Sequence, residues 1–110
     1  MTSIKTRSTA IEELTSTTRA KMVNLGGRLR AARKRRGWTF AQCAEISGVS
    51  TTTLKGIERG EPNIGFGLYV AVLQAYGITT ELDGLCLISK DHGLIAPDEP
   101  TYKVTFDEDL

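Results

Sequence analysis

Eight bases and no acid fall between Arg19 and Arg36 of the 110-residue chain. Guanidinium and ammonium groups at that density can neutralise a polyanion, by point charge and by forked hydrogen bonds to phosphate or carboxylate. The charge is divided along the chain. Residues 1–60 hold twelve bases and four acids, a balance of +8, whereas residues 61–110 hold two bases and nine acids, a balance of −7. Only the first half suits a polyanionic partner. Catalytic chemistry is not indicated, because one histidine, His92, and two isolated cysteines, Cys43 and Cys86, supply neither an activated nucleophile nor a ligand set of zinc spacing. No enzyme activity, metal or cofactor is expected. Each cysteine lies among apolar residues and is expected to be a buried, reduced thiol. The "GFG" at Gly65 to Gly67 has no strand before it and no Gly-Lys-Ser/Thr after it, so it is not read as a nucleotide loop.

The elements that must hold the bases follow from apolar spacing and capping residues. Leu25, Leu29 and Ala32 recur at i, i+4, i+7, which predicts a first helix from Asn24 to the stop at Gly37. Thr39 with Gln42 three residues on forms a capping box for a second helix, with Phe40, Cys43, Ala44 and Ile46 on its inward side and Gly48 at its end. Ser50 caps a third, with Leu54 and Ile57 inward, closed by Gly60 and Pro62. Phe66, Tyr69, Val70 and Leu73 mark the stripe of a fourth, from about Phe66 to Tyr76. Thr80 caps a fifth through Leu82, Leu85 and Ile88, although Leu85 to Ile88 also fits a short strand after Gly84. Trp38 is expected to cover the core or a turn.

The two ends differ from this pattern. Residues 1–22 are rich in Ser and Thr, and read as a loosely docked arm in which Thr9 and Glu12 could start a short helix through Leu14. Residues 91–110 form a tail in which Tyr102, Val104 and Phe106 alternate with polar residues, the period of a strand. If the fifth helix forms, that strand has no partner in its own chain and must pair with another copy or another protein; pairing across a homodimer, with Leu85 and Ile88 contributing, is the economical solution. No run reaches the roughly 18 apolar residues of a membrane span. A soluble, cytoplasmic, single-domain protein with no membrane partner is expected.

Two short helices meeting at the "SGVS" turn make a helix-turn-helix pattern, in which the second helix enters the major groove of DNA. The stretch "LGGRLRAARKRRGWTFAQCAEISGVSTTTLKGIERGEPNIGFGLYVAVLQAYGI" resembles the lambda-repressor-like, or Xre/Cro type, DNA-binding domain. The resemblance implies an all-α, five-helix domain, here with a C-terminal β-strand. It also implies base-edge contacts at Thr51, Thr52, Lys55 and Gly56. Phosphate contacts would come from Arg28, Lys34, Arg35, Arg36, Gln42, Ser50, Thr53 and Asn63. A structural ion pair would join Arg33 to Glu58. Two departures stand out: Phe40 replaces a common glutamine, and Gly56 a longer side chain. The C-terminal extension resembles HipB-like antitoxins, which implies a homodimeric repressor of its own operon bound to a HipA-like kinase toxin. A stand-alone regulator and a protein-interaction adaptor are the alternatives.

Overall fold

In the computed structural model, residues 7–87, 89 and 91 are described. Five α-helices occur among them: α1 (Arg7–Glu12), α2 (Ser16–Arg35), α3 (Phe40–Ser47), α4 (Thr51–Glu58) and α5 (Phe66–Tyr76). A 3-10 segment, Thr79–Gly84, follows. None of the described residues forms a strand. The strand expected at Tyr102, Val104 and Phe106, and the dimer contact expected at Ile88, lie outside the described residues.

The Ser/Thr-rich stretch starts a helix rather than interrupting one. Thr15 is extended at the N-cap, and its hydroxyl accepts from the Thr18 N–H at 3.1 Å. The first expected helix therefore begins at Ser16 rather than Asn24. Before it, α1 holds Thr9 within the helix instead of at its cap, and stops at Glu12 short of Leu14. Arg19 ties the two together, with Nη2 donating to the Ile11 carbonyl at 2.7 Å and Nε to the Leu14 carbonyl at 3.4 Å. These bonds give a further donor to the Ile11 carbonyl, which also accepts from the Leu14 N–H at 3.2 Å, and reach the carbonyl of Leu14 just beyond α1. The described part of the expected loose arm is helical over Arg7–Glu12 and again from Ser16.

Burial selects Leu29 and Ala32 of α2, Cys43 of α3, Val49 of the turn, Leu54 and Ile57 of α4, and Tyr69, Val72 and Tyr76 of α5. Two expected core positions are instead on the surface: Ile46 is 53% exposed and Phe66 62%. In α5 nearly every residue is apolar, so spacing alone does not choose the stripe. The tyrosine tips decide it, because the Tyr69 hydroxyl donates to the Glu61 carbonyl at 2.7 Å and the Tyr76 hydroxyl lies 3.7 Å from Cys43 Sγ. Burial and, for Tyr76, the Cys43 contact push both phenols above their usual range. Trp38 packs against Tyr76 with ring centroids 5.8 Å apart.

The chain divides into two units, residues 1–79 and 80–110. The expected fifth helix is replaced by the 3-10 segment, in which the Leu85 N–H reaches the Leu82 carbonyl at 3.2 Å. Thr80, Asp83 and Gly84 are weak helix formers, and Cys86 adopts a φ of 57°, which turns the chain off a helical path. Leu85 is exposed, and so is Cys86, against the expectation of a buried thiol.

Helices α2 and α4 cross with backbone against backbone. A Cβ on Gly26 would stand 2.6 Å from the Glu58 carbonyl oxygen and 2.7 Å from that of Ile57. On the other side, Gly60 has a φ of +75° and a Cβ there would stand 2.5 Å from the Met22 oxygen. The neighbouring Gly27 faces open space, with nothing within 4 Å. Adjacent glycines in one helix thus carry opposite expectations. Gly26→Ala lowers the unfolding free energy by about 1–3 kcal/mol through overpacking, while Gly27→Ala raises it by up to about 1 kcal/mol through helix propensity. Urea denaturation of both variants checks this, and shifts of the same sign would contradict the crossing.

Candidate nucleic-acid interface

The turn between α3 and α4 is built by its caps. Thr39 accepts from the Gln42 N–H at 3.1 Å, and Gln42 Oε1 accepts from the Thr39 N–H at 2.9 Å, completing the capping box that starts α3. Gly48 ends the helix in the left-handed conformation, and buried Val49 pins the turn to the core. Ser50 then caps α4, accepting from the Thr53 N–H at 3.1 Å while its hydroxyl lies 3.0 Å from Thr53 Oγ1.

What holds α4 at its angle is Arg33, 6% exposed in the last turn of α2. Its Nε donates to Glu58 Oε2 at 2.7 Å and its Nη2 to Glu58 Oε1 at 3.1 Å, a forked pair. The remaining Nη1 donates to the Trp38 carbonyl at 2.8 Å. Phe40 lays its ring over the guanidinium, with Cζ 3.9 Å from the ring centroid. One side chain thereby joins α2, the turn at Trp38, the start of α3 and the end of α4. The Glu58 hydrogen bonds hold the Arg33 guanidinium above its ordinary pKa despite burial. Phe40 thus has a structural task at the position where the resembled family commonly has glutamine.

The predicted contact residues separate into three groups. Thr51, Thr52 and Lys55 are exposed along α4, and neither threonine makes a side-chain hydrogen bond among the described residues. Gly56 does not join them: it is buried, and a Cβ there would stand 2.6 Å from Glu61 Oε1 and 2.7 Å from Ile64 Cδ1. Its lack of a side chain admits the loop after α4, and its burial does not fit the place the resemblance gives it among base-reading positions. Arg36 is likewise occupied within the fold, donating to the Ala32 carbonyl at 2.9 Å and to the Tyr76 carbonyl at 2.7 Å, where it serves the C-terminus of α5. Gln42, Ser50 and Thr53 are engaged in caps. Arg28, Lys34, Arg35 and Asn63 are exposed.

The bases of α2 do not share a face. At 3.6 residues per turn, Arg28 and Arg35 lie roughly 150° around the helix from Arg30. Arg30, not anticipated from the sequence, borders α4: an open cleft is lined by Arg30, Phe40, Lys55, Glu58 and Arg59. The signal for it was its position one turn before Arg33, since a side chain that reaches Glu58 implies a neighbour at the same edge. Arg59 is exposed and pairs with Glu61 at 2.8 Å, a contact of small energetic weight.

Removing one partner of the buried pair leaves an uncompensated charge. Arg33→Met therefore lowers stability by about 3–5 kcal/mol, and combining it with Glu58→Leu restores most of the loss. Thermal melts of the single and double variants check this; a double variant as unstable as the single would contradict the role given to the pair.

Residues 24–83 match the family profile of a helix-turn-helix domain. The match covers more than half of the 110 residues. No curated protein matches the chain. Among the described residues, no helix is long and apolar enough to cross a membrane.

Proposed function

Because the chain belongs to the helix-turn-helix domain family, we propose that it is a sequence-specific DNA-binding transcriptional repressor. One observation carries this reading: Thr51 and Thr52 stand exposed at the start of a helix whose angle is fixed by a buried ion pair, beside a segment with eight bases and no acid. Each threonine offers a hydroxyl to a base edge or phosphate and a methyl to thymine. Exposed bases on α2 and α4 supply the sequence-independent attraction to the duplex. With so few long side chains on α4, direct readout is modest, and DNA shape contributes to the choice of site. A homodimer on a palindromic operator, with its two α4 helices about 34 Å apart, doubles that readout.

The charge division of +8 in residues 1–60 and −7 in residues 61–110 favours a second reading, an antitoxin whose basic half holds DNA and whose acidic half meets a HipA-like kinase toxin. Recovery of such a kinase with the chain expressed from its own operon supports it.

A duplex selected by the protein from a random pool provides the test. Replacing Thr51 and Thr52 together by Ala lowers affinity for the selected duplex by about 1–3 kcal/mol, and leaves binding to a scrambled duplex at the same salt unchanged. A specificity ratio equal to that of wild type would refute base reading by α4.

A further inference from the structure

We propose that the cleft between α2, α3 and α4 seats a phosphate of the DNA backbone, with Lys55, Arg30 and Arg59 as its ligands, an inference that rests on the DNA-binding reading. The family resemblance places Lys55 among base readers; the geometry removes it from that group. Lys55 leans back toward the start of α3, its Nζ 5.7 Å from the Phe40 ring centroid, rather than standing out from α4 beside Thr51 and Thr52. Arg30 of α2 and Arg59 at the end of α4 line the same open cleft of about 400 Å³. Three cationic side chains, one from α2, one from α4 and one from its C-cap, thus border a cleft that the Phe40 ring also lines.

The acids near the cleft do not cancel this charge. Glu58 lines it, but its carboxylate is held from beneath by Arg33 and its side chain is 6% exposed. Glu61 engages Arg59 through a single oxygen, Oε2, at the exposed rim, and an arriving phosphate can share the remaining guanidinium donors. A concave, net-positive seat with forked donors suits a tetrahedral oxyanion rather than a flat base edge. The Phe40 ring offers the anion no hydrogen bond, and its face attracts the Lys55 cation instead. Such a seat fixes the register of α4 on the duplex without reading sequence.

Binding of full-length Lys55→Ala, Arg30→Ala and Arg59→Ala to the selected and the scrambled duplex is measured across salt concentrations by fluorescence anisotropy, with Lys55→Arg as a charge-retaining control. All three positions are exposed side chains, and melting curves confirm that the variants fold. Because one seated phosphate accounts for about one unit of slope in all, each Ala variant is expected to reduce the slope of log K against log salt by up to about one. Affinity for both duplexes should fall by the same factor, leaving their ratio unchanged, and Lys55→Arg should retain the wild-type slope. Unchanged slopes in the three Ala variants, with wild type selecting a duplex, overturn the seat and leave the DNA reading standing. A loss in Lys55→Ala confined to the selected duplex returns Lys55 to base reading and also overturns it. If wild type binds no duplex, the DNA reading and this inference fall together. Calorimetric titration with ATP separates the other source of phosphate: no saturable binding is expected, whereas micromolar binding abolished in Lys55→Ala would assign the cleft to a free ligand.

Discussion

Arg33 carries a charge into the interior, and the fold is arranged so that each of its three side-chain nitrogens finds an acceptor. Glu58 takes two of its bonds, the Trp38 carbonyl takes a third, and Phe40 covers its face at 3.9 Å. A buried guanidinium is tolerable only with such completeness, because desolvation otherwise exceeds the Coulombic gain. The requirement is geometric. Glu58 must arrive at the end of α4, Trp38 must follow the stop of α2, and Phe40 must open α3. The angle between the two helices of the motif is therefore set by a third helix, α2.

Close backbone contact gives that arrangement its second constraint. Gly26 and Gly60 let α2 and α4 approach until carbonyl oxygens occupy the space of a Cβ, and the same approach brings Arg33 within reach of Glu58 two turns further along α2. Polar tips complete the job on the far side of the core, where Tyr69 reaches the Glu61 carbonyl and Arg36 reaches the Tyr76 carbonyl. Against this rigid base, the exposed part of α4 is small: Thr51 and Thr52 at its start, and Lys55 turned toward α3.

Caps and glycine stops were legible in the residues, because Thr39, Ser50, Gly48 and Gly60 act locally and their spacing encodes what they do. Longer-range facts were not. Thr15 looked like part of a helix-breaking run, and only its bond to the Thr18 N–H shows it as a cap. In α5, uniform apolarity hid the buried face until the tyrosine hydroxyls found their partners. Gly56 suggested a lost contact with DNA, yet its neighbours Glu61 and Ile64 arrive from a loop whose path spacing does not encode. Arg36 and Arg30 exchanged roles for the same reason: rotation about α2 turns one toward α5 and the other toward α4. The resemblance to Xre-type domains located the motif, while the division of labour among its bases needed coordinates.

On the proposed DNA-binding reading, α4, held by the Arg33–Glu58 clamp, meets the duplex together with the Arg30 edge of α2. Amide and side-chain chemical shifts of the isotope-labelled protein, followed as a selected duplex is added, test it most directly. The largest changes are expected at Thr51, Thr52, Lys55, Arg30 and Arg59, with Arg28 and Arg35 on the other side of α2 little affected. Changes centred on Arg28 and Arg35, or on α1 and α5 with α4 silent, would contradict it.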